Sequence, residues 1–208
     1  MRGRFITVEG SEGAGKTTSL AALCRHLQNA GLDVYQTREP GGTPMAEAIR
    51  GVMLADWQEH VDGLTELLLV FAARNQHLRE EIQPRLARGQ WVVCDRFTDA
   101  SYAYQGVARG TPLAYVAALE QWVQGNLKPD LTLYLDLDPE LGRARIADRE
   151  KDRMEHEQAD FFHAVRQGYL QRVATQDAMQ LIDASQSIAE VQAAMIAILD
   201  PFIAKSQT

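Results

Sequence analysis

Only two cysteines, Cys24 and Cys94, occur among 208 residues, and they stand in apolar surroundings with no C-x-x-C or other ligand spacing. A disulfide scaffold, a cysteine zinc site and a dithiol redox motif are excluded, and both residues read as buried thiols. Long apolar runs are also missing: none approaches the roughly 20 residues of a membrane span, and the run Phe5–Val8 is too short for a signal peptide. Positive charge is in deficit, with 21 Lys and Arg against 28 Asp and Glu and a formal net charge of -7. A general claim on nucleic acid therefore has no electrostatic footing, although a local basic site stays open. There is no internal repeat, low-complexity tract or Pro/Gly-rich linker. A soluble cytoplasmic protein with one domain over residues 1–208 is expected, and an apolar fraction of 46% with three Trp and six Phe suffices for its core.

What is present alternates. Short β-branched runs at 5–9, 33–37, 90–95, 131–138 and 179–185 read as strands. Segments of helical period fall between them, near 16–30, 44–55, 64–88, 112–124, 139–148, 157–176 and 187–205. Gly31, Gly89 and Pro129 mark helix stops ahead of strands. Five strands interleaved with helices imply an α/β fold with a mostly parallel sheet covered on both faces. The stretch 143–157 is dense in charge, with ten of its fifteen residues Asp, Glu, Lys or Arg, which composition alone reads as a solvated helix face.

Three motifs carry chemistry. Gly10-Ser11-Glu12-Gly13-Ala14-Gly15-Lys16-Thr17-Thr18 has the spacing G-x-x-x-x-G-K-T between an expected strand and helix. Backbone N–H groups of such a loop wrap polyphosphate, Lys16 reaches the outer phosphates, and the Thr17 hydroxyl ligates Mg²⁺. The strand at 91–95 ends in Asp95, an acid placed to hold Mg²⁺ and its water shell. Arg96 beside it offers a bidentate grip on a second phosphate, which favours transfer between two phosphates over hydrolysis. In Thr37-Arg38-Glu39-Pro40-Gly41-Gly42-Thr43, a loop at a strand's carboxyl end, Arg38 is expected to face the cleft shared by Lys16 and Arg96. Thr43 and Pro44 there read as a helix start.

VEGSEGAGKTT, TREPGGT and DRF with the Ser-Tyr-Ala-Tyr-Gln that follows resemble, in order and over essentially the whole chain, the thymidylate kinase family, which phosphorylates dTMP to dTDP with ATP. The resemblance implies a P-loop nucleoside-monophosphate kinase fold, a five-stranded parallel sheet flanked by helices with a lid segment near 143–157, and a homodimer. By motif, Lys16, Thr17 and the backbone of 13–18 hold ATP, while Arg38 and Arg96 hold the dTMP phosphate. Phe71 and Arg74 stack on thymine and hydrogen-bond its O4, although from the residues alone an aromatic in the apolar run LTELLLVF is more often core. Ser101 and Gln105 lie near the thymine edge, with Ser101 standing where some members carry Asn, so that its contact runs through water. Tyr104 crowds the place of a ribose 2′-hydroxyl, and Glu12 accepts a bond from the 3′-hydroxyl.

Ser11, Glu12, Gly13 and Ala14 supply no arginine for the charge that builds on a moving phosphoryl group. The lid is the natural source, through Arg149 and Arg153 with Arg143 and Arg145 preceding, as in the bacterial branch of the family; Arg143 is expected on ATP. Residues 183–186 are expected against adenine. Two rivals stay open from the residues alone: a kinase acting on another monophosphate or small metabolite, and a nucleotide-dependent switch or assembly ATPase.

Overall fold

The computed structural model describes residues 2–145, 153–154 and 157–206. A five-stranded sheet in the order β2-β3-β1-β4-β5 is parallel at every pairing. Its strands are β1 (Phe5–Glu9), β2 (Val34–Arg38), β3 (Trp91–Asp95), β4 (Leu131–Asp136) and β5 (Met179–Asp183). Period-two alternation assigns the two faces of the sheet. Ile6, Val8, Val93, Leu133 and Leu135 pack against Leu20, Leu23 and Leu27 of α1 (Lys16–Asn29) and Met195 and Leu199 of α9 (Ile188–Ser206). Phe5, Val92 and Cys94 face the opposite way, onto Leu78, Ile82 and Leu86. Because helices cover both faces, all five residues of β1 are buried.

On that second face, α2 (Pro44–Leu54) packs on α3 (Gly63–His77), and α6 (Leu113–Gln124) packs on α3 in turn. The expected single helix over 64–88 is interrupted: α3 passes through a π-helical turn at Leu78–Ile82 into the short α4 (Gln83–Ala87). Pro84 explains the change, since it has no N–H to donate and its ring clashes with the preceding turn. A helix that the sequence does not announce follows β3. It begins as α5 (Thr98–Ser101), continues as a π-helical stretch over Tyr102–Ala108, and packs along α8 (Ala159–Thr175). The helix expected over 139–148 is seen as α7 (Pro139–Arg145), its remainder lying outside the described residues. β4 ends at Asp136, two residues before its expected end. Cys24 and Cys94 are both buried and free. No helix among the described residues is long and apolar enough to cross a membrane.

The parallel register gathers the chemistry at one edge. Asp95 lies level with Val8 of β1 and with Arg38 of β2. The loop after β1 and the residues following β2 and β3 therefore open onto one crevice at the carboxyl ends of the strands.

Candidate active site

The loop between β1 and α1 has the form its spacing requires. Gly13 and Gly15 take left-handed φ values of 75° and 81°, and Gly15 caps α1 without any side-chain bond, leaving the first amides of the helix directed at the crevice. Gly13 is required for a second reason: a Cβ there would lie 2.3 Å from the carbonyl oxygen of Gly142 on α7. Lys16 Nζ donates to the carbonyls of Gly10 and Ser11 at 2.9 and 3.0 Å. Burial and the neighbouring Arg96 lower its pKa, against Glu12, Asp95 and Glu9, which raise it. Thr17 and Thr18 are exposed on the first turn of α1, and Ser11 and Ala14 are buried in the loop.

A groove runs outward from this loop between Gly13, Ala14, Gly15 and Thr18 on one side and Ala184, Gln186 and Ser187 on the other. Its arginine differs from the expected one. Arg143 is exposed and is not on the groove wall, whereas Arg145 lines it, donating to the carbonyls of Gly13 at 3.3 Å and Ala184 at 3.0 Å. Two residues along a helix is a rotation of about 200°, so the two side chains leave α7 on opposite sides.

On the other side of the loop lies a cavity whose polar wall is Glu12, Arg50, Arg74, Arg96, Ser101, Tyr104 and Gln105, and whose apolar wall includes Met53, Leu54, Val70, Ala100 and Met154. Arg96 sits at the end of this cavity toward the phosphate loop. Its φ of 68° is rare for a residue with a Cβ and is held by its N–H bond to the Val8 carbonyl at 3.0 Å. Its Nη2 donates to Glu12 Oε1 at 2.5 Å and its Nη1 to the Tyr169 hydroxyl at 3.1 Å. The guanidinium lies over the Tyr104 ring, 4.9 Å from its centroid, and so meets that residue as a charge rather than in line with its hydroxyl. The buried Tyr104 oxygen has no hydrogen-bond partner among the described residues. Burial opposes the Arg96 charge, but Tyr104, Tyr169, Glu12 and Asp95 outweigh it and raise the pKa.

Behind Arg96 is a residue that sequence reasoning missed. Glu9 is fully buried, accepting from the Phe97 N–H at 2.7 Å and the Tyr169 hydroxyl at 2.8 Å. Burial first and Asp99 second push its pKa up to about 7, against Arg96, Tyr169 and the Phe97 amide. The available signal was a carboxylate ending a mostly apolar central strand.

At the far end, Arg74 is almost wholly buried and bonded to Glu39 at 2.6 Å, to the Phe97 carbonyl at 3.0 Å and to Ser101 Oγ at 3.0 Å. Its Nη1 is buried with no hydrogen-bond partner among the described residues. Glu39, also missed, is shared with His77 Nδ1 at 3.1 Å, and His77 Nε2 reaches Thr37 Oγ1 at 2.7 Å. Ser101, Tyr104 and Gln105 reach the cavity from the unannounced helix.

Three expected positions are corrected. Phe71 packs with Leu67 and Val116 in a core cluster, and its ring supports the Arg74 guanidinium from behind at 4.5 Å. Val70, a full turn before Arg74, lines the cavity instead, because i and i+4 share a helix face more closely than i and i+3 at this crossing. Arg38 turns to Glu47 at 2.9 Å and stays off the cavity wall, where Arg50 takes a place and donates to the Pro40 carbonyl at 3.0 Å. Arg153 donates to Glu66 Oε1 at 2.8 Å and to the Met53 carbonyl at 3.0 Å, which commits it to α3 and α2. Arg149 lies outside the described residues. Asp95, at the carboxyl end of β3 next to Arg96, has a buried Oδ1 without a hydrogen-bond partner among the described residues, the kind of acceptor that suits a hydrated divalent cation.

The family model of thymidylate kinase matches residues 8–195. The chain is 53% identical over 209 residues to the thymidylate kinase of Pseudomonas fluorescens, with all of both chains covered. It is 55% identical over 201 residues to that of Pseudomonas syringae pv. tomato, covering 96% of each. Against that of Teredinibacter turnerae it is 51% identical over 205 residues, covering 98% of this chain and 100% of the relative. Matches of this extent, on a parallel sheet whose phosphate loop lies between a groove and a cavity walled in part by Glu12 and Arg96, make the chain a member of the thymidylate kinase family.

Proposed function

We propose that this chain transfers the terminal phosphoryl group of ATP to dTMP, giving dTDP, with Mg²⁺ as cofactor. The observation that carries the assignment of the acceptor is the cavity with Arg96 and Glu12 at its phosphate-loop end and the unpaired Nη1 of Arg74 in its far wall. That donor suits a carbonyl such as thymine O4 and not the amino group cytosine carries there. Ser101 and Gln105 follow the base edge, Val70 and Met53 give apolar surface, and Tyr104 fills the place of a 2′-hydroxyl. Glu12, already turned toward the cavity by Arg96, accepts the sugar 3′-hydroxyl.

A phosphate monoester is an anionic nucleophile near neutral pH, so no strong general base is needed. The work of the chain is to hold two anions in line and to screen their repulsion. Lys16 and the loop amides hold the donor phosphates, and Arg96 grips the acceptor phosphate. Its strained backbone and its bonds to Glu12 and Tyr169 fix the guanidinium before substrate arrives. Arg145 and residues 184–187 border the donor base. With Arg153 engaged by Glu66, Arg149 is the lid arginine assigned to the transferred group. Thr17 and Asp95 would hold Mg²⁺, which when bound supplies charge neutralisation at the phosphates.

One kinase domain spans 1–208, with its lid near 143–157, and it works as a cytoplasmic homodimer. Exposed Trp122 and Tyr115 on α6 and Leu64 and Leu68 on α3 supply apolar surface for a partner, Trp122 being 78% exposed. Free thiols at Cys24 and Cys94 fit a reducing compartment. An ATP-coupled assay across dTMP, dUMP, dCMP, dGMP and AMP tests the function: dTMP should lead clearly, and equal turnover of several acceptors, or ATP hydrolysis indifferent to all of them, refutes it.

A further inference from the structure

A carboxylate that is not on the cavity wall is tied to arginines that contact residues of that wall. Glu66, on the first turn of α3, is fully buried and yet accepts from two arginines. Arg153 Nη2 reaches its Oε1 at 2.8 Å; Arg109 reaches Oε2 through Nε and Oε1 through Nη2, both at 3.1 Å. Arg109 in turn pairs with Glu157 at 2.6 Å, donates to Met154 Sδ at 3.5 Å, and lies over the Phe161 ring at 4.6 Å. Arg153 is tied a second time, through Nε to the Met53 carbonyl at the end of α2. Room for the Arg109 stem is built into α3, where a Cβ on Gly63 would come within 2.9 Å of Arg109 Cβ.

A lone buried carboxylate is costly, and two guanidinium partners offset that cost. Glu66 and Glu157 balance Arg109 and Arg153, so the group is neutral as a set. A satisfied buried network of this kind adds little net stability, and in some proteins it serves to define one arrangement. The network touches Met154, which with Met53 lines the acceptor cavity.

We propose that Glu66 is a positioning residue: through Arg109 and Arg153 it seats Met154 against the acceptor cavity, and so sets the affinity for the acceptor nucleotide without touching it. The inference rests on reading that cavity as the dTMP pocket. Arg153 is then an anchor on the acceptor side, not a donor to the transferred group. Loosening the network admits water to the cavity wall and weakens acceptor binding, while the donor groove, lined by other elements, keeps its grip on ATP.

The test compares the full chain with Glu66→Gln, Arg153→Gln, Arg153→Lys and Met154→Ala, by initial rates with dTMP and ATP varied in turn and by thermal melting. Arg153→Gln and Met154→Ala should each raise the dTMP KM about tenfold, the scale of a lost apolar contact in a substrate pocket, with kcat and the ATP KM little changed. Arg153→Lys, which keeps a charge opposite Glu66, should recover part of the affinity. Should Glu66→Gln fold poorly, the Arg153 and Met154 variants decide, since each leaves the buried Glu66 paired with Arg109. A fall in kcat at saturating substrates with the dTMP KM unmoved in Arg153→Gln overturns the proposal, and so does an unchanged dTMP KM in every variant. A wild-type chain inactive on dTMP overturns the reading of the cavity together with this proposal; an active wild type with either adverse pattern overturns the proposal alone.

Discussion

Replacing Arg74 by alanine separates two roles that the structure joins in one side chain. The guanidinium is 1% exposed and lies 2.6 Å from Glu39, whose carboxylate is 2% exposed. Arg74→Ala leaves that carboxylate buried beside His77 and strips donors from Phe97 O and Ser101 Oγ. Breaking a buried ion pair by removing one partner costs roughly 3–5 kcal/mol. Against the roughly 5–15 kcal/mol that keeps a domain folded, this is about a fifth or more. At about 2–4 °C per kcal/mol for a chain of this size, the melting temperature should fall by roughly 6–20 °C. Differential scanning calorimetry and urea denaturation read the loss directly. Adding Glu39→Gln removes the stranded charge, so the double variant should be more stable than the sum of the two single losses requires. Recognition is read separately in Arg74→Lys, which keeps a positive charge near Glu39 but has no group at the position of Nη1. Its preference for dTMP over dCMP in kcat/KM should fall roughly 10- to 100-fold, the worth of a charge-assisted hydrogen bond of about 1.5–3 kcal/mol. An Arg74→Ala chain that melts with the wild type would refute the ion-pair argument, and an unchanged dTMP/dCMP ratio in Arg74→Lys would remove Arg74 from base recognition.

Glu12→Ala with dTMP, and wild type with 3′-deoxy-dTMP, should each lose roughly 10- to 100-fold in kcat/KM, and the two combined should be hardly worse than either; losses that multiply would put Glu12 to work on Arg96 alone. Arg149→Ala should lower kcat by about 10³ with little change in the dTMP KM, and a near-normal kcat would send that role to another residue. Glu9 gives a pH dependence. Its folded pKa of about 7 stands above the ordinary 4.5, so the folded chain keeps a proton that the unfolded chain has released. Stability from that proton is present below about pH 4.5 and is lost as pH rises to about 7, at up to about 1.4 kcal/mol per unit. Wild-type stability minus that of Glu9→Gln, from urea denaturation at each pH, should accordingly fall by about 3 kcal/mol across this window; a constant difference would show that Glu9 does not titrate there.

Strands, the phosphate loop and the order of the motifs could be read along the chain because each depends on neighbours in sequence. Gly13, Gly15 and Lys16 act through local backbone geometry, and the alternation of Phe5, Ile6 and Val8 already separates the two faces of β1. The sequence also determined which edge of the sheet carries the site, since parallel strands bring the residues after 9, 38 and 95 to the same end. What it left undetermined turns on rotation about a helix or on a partner far along the chain. Choosing Val70 over Phe71, or Arg145 over Arg143, needs the orientation of α3 and α7, which one or two residues of rotation decide. The helix over 98–108 is held by α8, more than fifty residues on, against the weak helix preference of its tyrosines and Gly106. Arg153 was assigned from its place in a charged run, yet its partner Glu66 lies 87 positions away. Charge is visible in a sequence, but the carboxylate that claims it is chosen by burial, because a buried acid must be paired while an exposed one need not be.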